Sequence, residues 1–152
     1  MAAGSGAAEP IARPSLTFKR RIKAPPERVF AAWTDPQKIV RWFGRPDARV
    51  ETLRAETDVR VGGRFRFSFS TTSEYYEVGG VYREVVPDRR LVFSWAWHST
   101  PERESQVTVL LQADGEDTLL TLHHEHLFDE AAREGHARGW AMGLERMETL
   151  LT

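Results

Sequence analysis

Four groups of residues in this chain have types and spacings that could do chemistry. The first is His123-His124-Glu125-His126. On a strand, side chains alternate between faces, so His124 and His126 would share one face and His123 and Glu125 the other. Two histidines on one face are candidate metal ligands, with His98 or His136 as a third only if the fold brings one close. A zinc-peptidase site needs two histidines four apart on a helix with a glutamate between them, and this pattern differs. The expectation is no metal. A single His124 aimed into a cavity would instead act as a hydrogen-bonding group or a general base. The second group is Tyr82 and Glu84, which alternate with Val81, Arg83 and Val85. If one points inward so does the other, unless the register shifts near Gly79-Gly80. A buried Glu84 would need an arginine or a phenol beside it, or would take up a proton.

The third group is Trp95, Trp97 and Trp140. A buried indole N–H needs an acceptor, so tryptophan is a costly way merely to fill space. These three could instead wall a site for an apolar ligand with a polar end. The fourth is Gly135, Gly139 and Gly143, four residues apart. Each costs about 1 kcal/mol relative to alanine inside a helix. Either they allow close packing or they leave room for a ligand. No Gly-x-Ser-x-Gly elbow, phosphate-binding loop or dinucleotide glycine fingerprint is present, so no cofactor is expected.

The elements that must position these groups follow from periodicity. Leu16, Phe18 and Ile22 share one face of a first strand. Ala24-Pro25-Pro26-Glu27 ends it and starts a helix carrying Val29, Phe30 and Trp33. Asp35-Pro36 starts a second helix, which carries Ile39, Val40, Trp42 and Phe43 and ends at Gly44. Strands then follow one another from Arg49 to about Glu125. Phe65, Phe67 and Phe69 alternate with polar residues, as do Leu91, Phe93, Trp95 and Trp97 with their neighbours. Gly79-Gly80 predicts a bulge or strong bend in the Tyr75–Val86 strand, and 114–117 a hairpin loop. Trp140, Leu144, Met147 and Leu151 recur at four, three and four on a closing helix from about Asp129. Strands in succession with helices on one side make an α+β fold, here a curved antiparallel sheet of about seven strands wrapped around the long C-terminal helix.

Composition narrows the function. The chain has 152 residues, 16 aromatics, no cysteine and a formal charge of −1. One domain is expected over 15–152, preceded by a disordered leader over 1–14. Without cysteine there are no disulfides, thiolate nucleophiles or cysteine-held zinc. The near-neutral balance argues against a nucleic-acid partner, and no apolar run is long enough to span a bilayer. A cytoplasmic location, with no membrane partner, is the expectation. Residues 1–66 hold 14 Lys/Arg against 7 Asp/Glu, while 67–152 hold 7 against 15.

Several stretches together resemble a known family. They are Ala24-Pro25-Pro26-Glu27-Arg28-Val29-Phe30 running to Trp33-Thr34-Asp35-Pro36, then Trp42-Phe43-Gly44 and Val61-Gly62-Gly63-Arg64-Phe65. Gly80-Val81-Tyr82-Arg83-Glu84-Val85-Val86-Pro87, Arg90-Leu91-Val92-Phe93-Ser94-Trp95 and Gly139-Trp140 complete them. In this order they are similar to the START-like helix-grip superfamily (SRPBCC), and within it to the activator of heat-shock protein 90 ATPase homologue-like family. The resemblance implies a cavity between the sheet's concave face and the long helix, in a superfamily that holds lipids, polyketides and other apolar molecules. The first expectation is a domain binding a hydrophobic or aromatic small molecule, as monomer or homodimer. Trp42, Phe67, Phe69, Tyr82, Trp95, Trp97, His124, His136, Trp140 and Leu144 are the candidate lining. The alternatives are a chaperone co-factor or stress-response interaction module docking through the basic half, and a cavity enzyme of polyketide-cyclase or hydrolase type using His124, Glu84 and Tyr82.

Overall fold

The period-two aromatic runs become the central strands of one sheet. A computed structural model of the chain describes residues 13–152. The strands are β1 (Leu16–Ile22), β2 (Arg54–Thr57), β3 (Arg64–Ser70), β4 (Tyr75–Val86), β5 (Arg90–Trp97), β6 (Ser105–Asp114) and β7 (Asp117–Glu125). They pair antiparallel in the order β1-β7-β6-β5-β4-β3-β2. Helices α1 (Pro26–Thr34) and α2 (Pro36–Ile39) follow β1, and α3 (Glu130–Leu151) closes the chain. This is the α+β architecture that the patterns predict, with α3 lying against the aromatic face. Among the described residues, no helix is long and apolar enough to cross a membrane. The expected leader, residues 1–14, falls outside the described residues except for Arg13 and Pro14. The Pro14 carbonyl accepts the Leu127 N–H at 3.0 Å.

Helix α3 follows its apolar stripe. Trp140, Leu144, Met147 and Leu151 are all buried, and Gly143 joins them. Asp129 caps its start, the carboxylate accepting from the Ala132 N–H at 2.8 Å, which satisfies one of the N–H groups a helix start leaves free. At 1.5 Å per residue the helix is about 33 Å long, enough to cross the sheet. Opposite it lie Phe65, Phe67, Phe69, Phe93 and Trp95, each 5 % exposed or less.

Two local expectations need correction. Helix α2 is a single turn and stops at Ile39, short of Trp42 and Phe43. The chain continues in turns, and a tertiary bond fixes Trp42, its indole N–H donating to the Ala32 carbonyl at 2.7 Å. The register shift in β4 lies between Tyr82 and Glu84, not at Gly79-Gly80. It therefore separates the two side chains: Tyr82 is buried, while Glu84 is exposed and pairs with Arg90 at 3.0 Å. Gly80 serves another purpose. A Cβ there would lie 1.9 Å from the Ser94 carbonyl oxygen, and next to it the Val81 N–H donates to the Ser94 hydroxyl at 2.8 Å. Gly80→Ala is expected to force β4 and β5 apart and cost about 1–3 kcal/mol, read as a lowered urea midpoint. An unchanged midpoint would show that the strands can move apart freely.

The hairpin between β6 and β7 is as its sequence predicts. Asp114 pairs with Asp117 across a two-residue loop, and Gly115 there has φ +63°, the left-handed region a tight hairpin requires.

Candidate functional site

Between α3 and the sheet lies an open cleft of about 660 Å³. Its floor and walls come from α3, from the segment after α2 and from three strands. Helix α3 contributes Gly135, His136, Gly139, Trp140 and Gly143; the segment after α2 contributes Trp42 to Pro46. Strands β3 and β4 add Phe69 and Tyr76, and β5 adds Trp95 and Trp97, with Ser99 and Thr100 beyond it. The sheet's twist and the α3 stripe bring these together, since the aromatic residues on β3 and β5 already face the helix.

Of the ten residues expected to line a cavity, six do so: Trp42, Phe69, Trp95, Trp97, His136 and Trp140. Phe67, Tyr82, His124 and Leu144 are placed in the core beneath, at 5 %, 2 %, 0 % and 0 % exposure. Phe43, Arg45, Tyr76 and Arg138 line the cleft without having been expected there. Parity holds the signal for Tyr76, because counting back in twos from the inward Tyr82 reaches Val78 and Tyr76. For Arg138 the signal is its place between Gly135 and Gly139 on one helix.

The five tryptophans form a continuous chain. Ring centroids stand 6.0 Å apart for Trp97–Trp95, 5.1 Å for Trp95–Trp140, 6.3 Å for Trp140–Trp42 and 4.9 Å for Trp42–Trp33. Two histidines satisfy three of the indoles. The Trp140 N–H donates to His124 Nδ1 at 3.0 Å. On the other side of the ring, His124 Nε2 lies 2.7 Å from the Ser105 hydroxyl, which itself donates to the Trp95 carbonyl at 3.1 Å. With the hydroxyl proton committed there, Nε2–H must be the donor to Ser105. His124 is thus neutral with both nitrogens occupied. Burial, with His136 and His123 adding to it, lowers its pKa to about 2.

His136 is the mirror case. Its Nδ1–H donates to the Ala132 carbonyl at 2.7 Å, so Nε2 carries the lone pair. That atom accepts from both Trp97 at 3.0 Å and Trp95 at 3.3 Å. Burial lowers its pKa, against the opposing pull of the Ala132 carbonyl. The two imidazoles sit edge to face, 4.9 Å apart. Both histidines therefore act as acceptors for tryptophan, an arrangement that a proton on either accepting nitrogen would break.

The polar groups weighed for acid–base work do not meet. Tyr82 is buried, and its burial raises the phenol's pKa; Glu84 is exposed and paired with Arg90. The same-face pair His124 and His126 is also broken. Strand β7 ends at Glu125, and His126 turns into the left-handed region at φ 63° with an exposed ring. Among the described residues, no three His, Asp or Glu side chains group as metal ligands would.

The glycines of α3 divide into two kinds. A Cβ on Gly143 would meet the Trp42 ring at 3.3 Å, so that glycine allows close packing. A Cβ on Gly139 would meet nothing within 4 Å, and one on Gly135 only the Arg138 guanidinium at 4.0 Å. Those two face open cleft.

The family profile described as "Activator of Hsp90 ATPase homolog 1-like protein" matches residues 23–152. No curated protein matches the chain. Among solved structures, protein CV1439 from Chromobacterium violaceum superposes with a TM-score of 0.78 at 24% identity, covering 91% of this chain and 97% of that one. Mll3558 from Rhizobium loti gives 0.74 at 29% identity, covering 90% and 95%. CalU16 from Micromonospora echinospora gives 0.68 at 29% identity, covering 91% and 76%.

Proposed function

The chain belongs to the activator of Hsp90 ATPase homolog 1-like family, and on that premise we propose that it is a binding domain whose cleft takes an apolar, aromatic small molecule. The observation that carries this reading is the open space at Gly135 and Gly139. A glycine inside a helix costs about 1 kcal/mol relative to alanine, because its backbone has more freedom to lose. Close packing offsets that cost at Gly143 but not at the other two. What those two glycines do provide is room opposite Trp42, Trp95 and Trp97. The volume of about 660 Å³ lies within the range of roughly 300–1,000 Å³ usual for small-molecule sites. Flat aromatic walls suit flat aromatic ligands, which can stack on them or meet them edge-on.

The test uses the neutral fluorescent probe N-phenyl-1-naphthylamine, which brightens in apolar surroundings. Wild-type protein should bind it. Gly139→Leu should fill the cleft and weaken binding by roughly tenfold or more, while stability rises by about 0.5–1 kcal/mol because a mid-helix glycine is gone. Probe binding unchanged in Gly139→Leu, or absent in the wild type, would overturn the proposal. A separate thermal melt of Gly139→Ala checks the helix argument independently of any ligand.

A further inference from the structure

Resting on the cleft as a ligand site, we infer that its ligand carries a single anionic group, enters ring-first and leaves that group at the mouth beside Arg138. The indole and imidazole nitrogens of the aromatic wall are all engaged. His136 donates to Ala132 and accepts from Trp95 and Trp97. The Trp42 and Trp140 indoles donate to Ala32 and His124. A polar group at the deep end of a ligand would lose its water there and gain no partner. Along the tryptophans and α3 only π faces and aliphatic edges remain, so the ring of the ligand belongs there, and Ser99 and Thr100 supply the hydroxyls of the lining.

The mouth is different. Arg45 and Arg138 line the cleft, and no aspartate or glutamate does. Arg45 is already engaged. Its Nε and Nη2 donate to the two carboxylate oxygens of Asp47 at 3.0 and 3.2 Å, and its Nη1 donates to the Tyr76 hydroxyl at 2.9 Å. Tyr76 is fixed from below as well, stacked on Phe69 with centroids 5.1 Å apart. Because its oxygen accepts from Arg45, its own proton is left to donate. Arg138 is exposed and forms no ion pair among the described residues, the pairs of this part of α3 ending with Arg133–Glu130. Its guanidinium lies beside Gly135, and both residues line the cleft. A planar guanidinium with free donors and no carboxylate partner fits a carboxylate or similar oxyanion.

Calorimetric titration at low salt with 2-naphthoate, 2-naphthamide and 2-naphthylmethylammonium tests this, since the three share one ring system and differ in charge. Naphthoate should bind about three- to fivefold tighter than naphthamide, the scale of an exposed ion pair, and the ammonium should be weakest. High salt should narrow the gap. Arg138→Gln should abolish the preference, bringing naphthoate down to the affinity of naphthamide. Equal affinity for naphthoate and naphthamide in the wild type, or a preference that survives Arg138→Gln, overturns the inference and leaves the cleft as a neutral site. Naphthoate binding that survives Gly139→Leu places the anion elsewhere and overturns it too. Failure of all three compounds to bind overturns the ligand-site reading itself, and this inference with it.

Discussion

Replacing Trp140 by alanine is expected to destabilise the protein by about 3–5 kcal/mol, a large share of the roughly 5–15 kcal/mol that holds a typical domain together. Trp140 stands where helix, sheet and the α1–α2 segment meet. Its ring lies 5.1 Å from Trp95, 5.7 Å from Trp33 and 6.3 Å from Trp42, centroid to centroid. Alanine would leave a cavity bounded by rigid rings that cannot collapse into it. The polar part of the cost can be isolated. Trp140→Phe keeps a ring but removes the donor to His124 Nδ1, on a side chain with no exposure at all. An unpartnered acceptor in that setting costs about 1–3 kcal/mol. Trp33 supplies the control. It is as buried, yet its indole N–H has no partner among the described residues. Trp33→Phe removes an unsatisfied donor along with some ring area, and should cost clearly less than Trp140→Phe. Urea unfolding of both variants gives the comparison. Equal losses would mean that ring volume, and not the indole–imidazole bond, sets the stability at Trp140.

These same residues show where sequence is informative and where it stops. The α3 stripe and the Phe65–Phe67–Phe69 run were legible because burial imposes a period on a regular element. Trp140 could be placed inward on that basis alone. Its partner could not, since the bond to His124 joins residues on different elements and depends on how α3 lies over β7. His136 illustrates the same limit. It sits half-buried on α3, and only the fold brings two indoles from β5 onto one nitrogen. Gly79-Gly80 reads as a bulge or bend, but glycines mark close approach as readily as irregular register. Here Gly80 gives the Ser94 carbonyl room, and the shift comes at Arg83. The three α3 glycines have identical spacing, so what separates Gly143 from Gly135 and Gly139 is the position of Trp42, a residue about one hundred places earlier in the chain. Apolar spacing alone puts Trp42 on a longer second helix. The structure ends that helix at Ile39, because a bond to the Ala32 carbonyl, not helical periodicity, determines where its ring goes.

Acidification should destabilise the protein through the two histidines that accept from tryptophan. The sign follows from where each state binds its proton. An unfolded histidine titrates near 6.5. Folded His124 titrates near 2, burial being the first cause, and His136 is shifted the same way. Below about pH 6.5 the unfolded chain therefore takes up protons that the folded chain refuses, and stability falls with pH. Above about pH 7 both states are neutral at these sites and stability is flat. For His124 alone the loss is about 1.4 kcal/mol per pH unit once the unfolded histidine is charged, or about 2 kcal/mol at pH 5 and about 3 kcal/mol at pH 4. Glu51 and Glu130 have lowered pKa values, from a backbone bond at Glu51 and from Arg133 at Glu130. Their contribution is lost only as pH falls through the carboxylate range, so the slope between pH 6.5 and 5 belongs to the histidines. His124→Gln separates the proton from the hydrogen bonds. The amide oxygen can accept from Trp140 and the amide nitrogen can donate to Ser105, but nothing there titrates. Urea midpoints measured from pH 8 to 5 should fall less steeply in His124→Gln than in wild type, with a residual slope from His136. Identical slopes would place the acid sensitivity outside this pair. A midpoint lowered by the same amount at every pH would show that the amide cannot replace the imidazole between Trp140 and Ser105, while the slope still reports the lost proton site.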